Sequence, residues 1–180
     1  MALIYETENF KLESIDKPFI DRLEGAHVQI SPKSEVTDRA KLSSELKEEL
    51  DEFTTLVGKA IKLGRRKRGV EIGRIDFQDD GDENQKLPVQ MYFRAIGATK
   101  QRYSKPIVPE YKTEYQPLDD EDIRVIIKEI KKLMKREKSI QEREEREAAF
   151  QKKFPGRRLS GYSHMNEQNL PTRQEHRQRA

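Results

Sequence analysis

Residues 70–97 read VEIGRIDFQDDGDENQKLPVQMYFRAIG, and this stretch decides the fold. Val70, Ile72, Ile75 and Phe77 supply β-branched and aromatic positions for one strand. Val89, Met91 and Phe93 alternate with Gln90, Tyr92 and Arg94 in a second, the period-two pattern of a strand with one buried face. Between them Asp79-Asp80-Gly81-Asp82-Glu83-Asn84 is dense in residues that tolerate left-handed backbone and cap their own turns. The stretch is a hairpin, with strands near 70–77 and 89–96.

Upstream, Ile4-Tyr5-Glu6 and Phe10-Lys11-Leu12-Glu13 alternate as short strands, and Pro18 separates them from Ala26-His27-Val28-Gln29-Ile30, a further strand ended by Ser31-Pro32. Ser43 is an N-cap, and Leu46, Leu50, Phe53, Val57, Ala60 and Ile61 recur at three and four, the stripe of an amphipathic helix. Gly64 predicts its end near Leu63, as a left-handed cap. Gly64-Arg65-Arg66-Lys67-Arg68-Gly69 then reads as a solvated, cationic helix-to-strand loop; contact with phosphate or a nuclear address are the functional alternatives.

Downstream, residues 105–116 are rich in Pro and Tyr and predict an ordered but irregular segment. Asp119 caps a second helix, with Asp122 completing a capping-box-like pair and Leu118 stapled onto Ile123. Its stripe is Ile123, Ile126, Ile127, Ile130, Leu133 and Met134. Residues 135–147 are almost wholly charged, so i,i+4 ion pairs prolong the helix without folding anything. Glu137 and Glu144 stand where a coiled-coil seam needs apolar residues. Pro155-Gly156 closes it, and 156–180 is too polar to order. The expected fold class is α+β: a meander-like antiparallel sheet of about five strands covered by helices at 44–63 and 119–134. The expected domains are a body at 1–134, a charged helical extension at 135–150 and a basic disordered tail at 151–180.

Composition agrees with a globular body plus a polar appendage. The 180 residues are 33% hydrophobic and 38% charged, too polar for the whole chain to share one core. No apolar run approaches the length of a membrane helix. The first ten residues lack a signal's apolar stretch and there is no cysteine, so a cytoplasmic location is expected. Net charge is +3, but 151–180 holds seven Lys/Arg against two Glu, which leaves the body at −2. A mildly acidic body does not advertise a nucleic-acid surface; tethering of nucleic acid would fall to the tail and be steep in salt.

Two segments carry a resemblance. Residues 72–81 (IGRIDFQDDG) with Tyr92-Phe93-Arg94-Ala95, and residues 24–33 (EGAHVQISPK), resemble the histidine-triad superfamily, in its bacterial diadenosine-tetraphosphate-hydrolase-like branch. The start of the second helix is similar too. That family carries three alternate histidines on the second hairpin strand, the middle one attacking an α-phosphate. Laid on this chain, those positions fall on Lys86, Pro88 and Gln90, none of them a histidine. The resemblance implies a triad-less relative that pairs into homodimers. If a nucleotide pocket survives, His27, Gln78 and Gln90 form its wall, with Lys86 near the phosphates of a purine nucleotide.

The family reaction needs a neutral imidazole as nucleophile. Proline has neither nucleophile nor backbone donor, so Pro88 belongs at the very start of the strand. A protonated Lys86 attacks poorly unless desolvated, and Gln90 donates hydrogen bonds but shuttles no protons. The three histidines are His27, His164 and His176, with none between the first two. A lone strand histidine such as His27 is most often a packed, hydrogen-bonded residue. Asp79, Asp80, Asp82 and Glu83 lack the ligand order of a calcium loop, and turn chemistry accounts for them. No catalytic triad, Walker loop or dinucleotide fingerprint occurs, and no cofactor or metal is implied. The reading is therefore a non-catalytic nucleotide-binding or protein-interaction module. The alternative is a phosphohydrolase or nucleotidyl transferase using Lys86 and the acidic turn.

Overall fold

The computed structural model describes residues 1–79, 87–108 and 112–154. The acidic turn beyond Asp79, Lys86, and the chain from Pro155 onward lie outside the described residues. Residues to Arg136 form one compact unit, and Glu137 begins a second.

In the first unit β1 (Ala2–Glu6), β2 (Phe10–Ser14), β3 (Gly25–Pro32), β4 (Ile72–Asp79) and β5 (Val89–Ala95) make one antiparallel sheet. With its helices this is the expected α+β architecture. The strand order, β1-β2-β3-β5-β4, departs from a plain meander. The second hairpin strand takes the place beside β3 and its partner β4 takes the edge. Burial gives the reason: every β5 residue except Gln90 is buried, whereas Ile72 alone is buried in β4. Pro88 immediately precedes β5, where its missing N–H costs no ladder bond.

One face of the sheet is apolar. Leu12 pairs with Ile30, Ile30 with Val89 and Val28 with Met91, all with essentially no exposed surface. Against them lie Leu50, Phe53, Val57, Ala60 and Ile61 of α1 (Ser44–Lys67), and Ile126 and Ile130 of α2 (Asp120–Lys153). At about 1.5–3 kcal/mol for each fully buried large side chain, this layer supplies the main drive to fold.

Both predicted helix starts hold. Ser43 Oγ accepts the Leu46 N–H at 3.3 Å. Asp119 Oδ1 accepts the Asp122 N–H at 2.7 Å while Asp122 Oδ2 accepts the Asp119 N–H at 3.4 Å, a reciprocal capping box. The expected end of α1 does not hold. The helix runs one turn past Leu63 to Lys67. Gly64 lies inside it, where a Cβ would come within 3.2 Å of Ile126 Cγ1, so its smallness serves the approach of α2. The left-handed residue is Gly69, φ 80°. Val70 N–H bonds Arg65 O at 2.9 Å and Gly69 N–H bonds Arg66 O at 3.1 Å, the paired bonds of a Schellman end.

The cationic stretch is helix as far as Lys67 rather than loop, and although Arg66, Lys67 and Arg68 are exposed as expected, Arg65 is not. Arg65 is 2% exposed. Its guanidinium donates to Asp122 Oδ1 and to the carbonyl of Arg22. Asp122, also 2% exposed, further accepts from Arg22 at 3.1 Å and Arg68 at 3.2 Å. Burial pulls the Arg65 guanidinium below its ordinary value, and the Asp122 carboxylate pulls it back. Thus the last turn of α1 grips the first turn of α2.

In the second unit the described residues are helical to Lys153, and those from Glu137 to Ala149 are exposed. Phe150 and Phe154 bring their rings to 5.2 Å. Among the described residues no helix is long and apolar enough to cross a membrane.

Candidate functional site

The face of the sheet turned away from the helices is polar, and strand alternation builds it. His27, Gln29 and Ser31 project from β3, Gln90, Tyr92 and Arg94 from β5, Asp76 and Gln78 from β4. Register makes rows of them: Gln29 and Gln78 both lie opposite Gln90, and His27 and Asp76 both lie opposite Tyr92.

His27 is 4% exposed and packs against the Phe19 ring at 5.3 Å and the Tyr92 ring at 4.5 Å. Its Nδ1 accepts the backbone N–H of Phe19 at 3.1 Å. A backbone amide can only donate, so in the neutral ring the proton sits on Nε2. Nε2–H then donates to Gln90 Oε1 at 2.9 Å. That orients the Gln90 carboxamide, whose Nε2 donates to Gln29 Oε1 at 2.8 Å, and Gln29 Nε2 donates to Ser31 Oγ at 2.8 Å. One backbone amide thus sets the direction of a four-step chain. Burial, opposed by the Gln90 hydrogen bond, holds the imidazole's pKa down to about 4. A second ring proton would also point at the Phe19 N–H.

Gln78 Oε1 accepts from the Tyr92 hydroxyl at 3.3 Å. Two rows from the glutamines, Arg94 is fully buried and donates from Nε and Nη2 to Asp76 Oδ2 at 2.9 and 2.6 Å. Its Nη1 donates to the carbonyls of Arg102 and Lys105, which lashes that loop to the sheet. Arg74 Nε lies 2.6 Å from Asp76 Oδ1.

Of the residues singled out from sequence, the structure places His27, Gln78 and Gln90 on this one face, with Pro88 at its margin; Lys86 lies outside the described residues. Gln29, Phe19 and Tyr92 were not singled out as site residues. Gln29 and Tyr92 had a usable signal, standing two residues from His27 and Gln90 on the same strand faces. Phe19 had none, since its approach to His27 depends on the loop path. Among the described residues no group of three His, Asp or Glu is placed to hold a metal ion.

This arrangement lies on a known fold. A hypothetical histidine triad nucleotide-binding protein from Sulfolobus tokodaii strain 7 superposes with a TM-score of 0.52 at 18% identity, over 73% of this chain and 84% of that one. A histidine triad protein from Sinorhizobium meliloti 1021 gives 0.53 at 17%, over 73% and 87%. One from Bradyrhizobium japonicum gives 0.51 at 15%, over 72% and 87%. The chain therefore has the histidine-triad fold. No family model matches the sequence, and no curated protein does.

Proposed function

We propose that this protein is a non-catalytic binding module on a histidine-triad fold, with a nucleotide as ligand and His27, Gln78 and Gln90 in the wall of its site. The observation that carries the reading is the state of His27. Its Nδ1 lone pair is taken by a backbone N–H and its Nε2 carries the proton, so it offers no lone pair to phosphorus. Gln90, at the corresponding place on β5, has no titratable group. A polar face with its one imidazole locked binds without turnover. The Sulfolobus tokodaii neighbour, a hypothetical nucleotide-binding protein, directs the choice of ligand.

Calorimetric titration with AMP, GMP and diadenosine polyphosphates tests this. Heat below the millimolar range without hydrolysis products is expected. Absence of heat leaves a protein-partner role. Turnover of an aminoacyl or phosphoramidate adenylate that disappears in Lys86→Ala or Asp80→Ala, with or without Mg²⁺, overturns the reading in favour of a working phosphohydrolase.

The same proposal has the protein working in the cytoplasm as a homodimer. Support for pairing comes from β4, which is an edge strand of the sheet and carries Phe77 at 55% exposure. Light scattering should give twice the chain mass, and Phe77→Glu should return a monomer.

A further inference from the structure

The row Gln29–Gln90–Gln78 has a chemistry of its own. Opposed side chains in an antiparallel sheet sit about 5 Å apart, so three carboxamides stand side by side across three strands. In Gln29 and Gln90 the oxygen accepts once and the nitrogen donates once within the chain that starts at His27. Each therefore keeps one N–H and one oxygen lone pair. Gln78 accepts once through its oxygen, and its amino group makes no bond among the described residues. The row is half-buried rather than sealed.

The strand beside the row carries one charge of each sign. Glu13 of β2 lies opposite Gln29 and Lys11 lies opposite Ser31, one of each sign. The nearest guanidinium groups on the face, Arg74 and Arg94, are both engaged by Asp76. Arg74 and Arg94 stand opposite each other two rows away, so among the described residues nothing beside the row offers a phosphate dianion the excess positive charge that would offset its desolvation. A carboxamide with a spare donor beside a spare acceptor instead matches an uncharged edge that alternates the same way. Gln against the amino group and ring nitrogen of adenine is such a pair.

We propose that the glutamine row reads the hydrogen-bonding edge of the nucleobase and leaves the phosphates outside its grip. The inference rests on the nucleotide reading above and narrows it. Recognition lies in the base, so nucleoside and nucleotide bind alike and the polyphosphate is not the selected part. Gln78 sets the specificity, because its amino group is spared by the internal chain.

Titration of the full chain with adenosine, AMP, ADP and inorganic pyrophosphate separates the two claims. Adenosine, AMP and ADP are expected to bind within about threefold of one another, with pyrophosphate failing to compete. Gln78→Leu should weaken all three by about tenfold, the scale of one bidentate pair. Gln78→Glu, which keeps the size and removes the donors, should weaken adenosine as much as AMP. AMP or ADP binding more than tenfold tighter than adenosine, or a Gln78→Glu loss confined to the phosphorylated ligands, overturns the base-reading inference while the nucleotide reading stands. Silence from every ligand overturns both. Far-UV circular dichroism of each variant, matched to the parent, confirms that the half-exposed edge position has been changed without unfolding the sheet.

Discussion

His27 shows how one residue's surroundings choose its chemistry. An imidazole near its ordinary value of 6.5 would be half charged close to neutrality; here burial, opposed by the Gln90 hydrogen bond, keeps it neutral down to about 4. The unfolded chain takes up this proton near 6.5 and the folded chain near 4. Between those values the unfolded state binds more protons, so stability falls as pH drops from 6.5 to 4 and is regained as it rises. The gap between those two values corresponds to about 3 kcal/mol. Urea melts across this window should show that loss, and His27→Phe should flatten it. Asp119 of the capping box does not mimic the effect. Asp119, held down to about 2 by the Asp122 N–H and then by Arg22, loses its contribution only below its ordinary 3.8. From sequence His27 was recognisable as a packed strand histidine, but which nitrogen carries its proton depends on a loop residue eight positions earlier.

At the scale of the elements, the two helices are locked through their ends. The end of α1 brings Arg65 and its cap residue Arg68 to a capping box that α2 would form alone, and Arg22 joins them there. Asp122 accepts from Arg22, Arg65 and Arg68, so its removal strands a guanidinium that is 2% exposed. Asp122→Ala is expected to cost about 3–5 kcal/mol in chemical denaturation, most of it from the uncompensated Arg65 charge. Arg65→Met with Asp122→Leu should recover much of that loss, because a well-packed apolar pair of similar size carries no desolvation penalty. The N-terminal caps were legible because Ser43, Asp119 and Asp122 act on neighbours within three residues. The end of α1 was not. Gly64 looks locally like a stop signal, and only the approach of Ile126 explains a glycine there with the helix continuing to Lys67.

At the scale of the whole molecule, the sheet and the first parts of both helices close one core, and the described residues from Glu137 to Ala149 bury nothing within their own unit. Deleting 137–180 should leave the thermal midpoint of the remainder within about 2 °C. The loss in helical signal should match the residues removed, and calorimetry should show a single transition for both chains. A drop of 10 °C would mean that the charged segment holds the body together. The same deletion removes the basic tail, so any salt-steep binding of nucleic acid that survives it cannot come from there.

By itself the sequence determined the five strands, both helix starts, the apolar faces and the absence of any histidine on the second hairpin strand. Each follows from period, capping or composition, which act over a few residues. The tertiary structure alone decided that β5 lies inside the sheet between β3 and β4 with β4 at the edge, that Arg65 is buried and matched by Asp122, and that His27 is neutral at the head of a glutamine row. Those outcomes depend on burial and on partners 57 and 63 positions apart in the chain, and no local pattern encodes which groups meet once water is excluded.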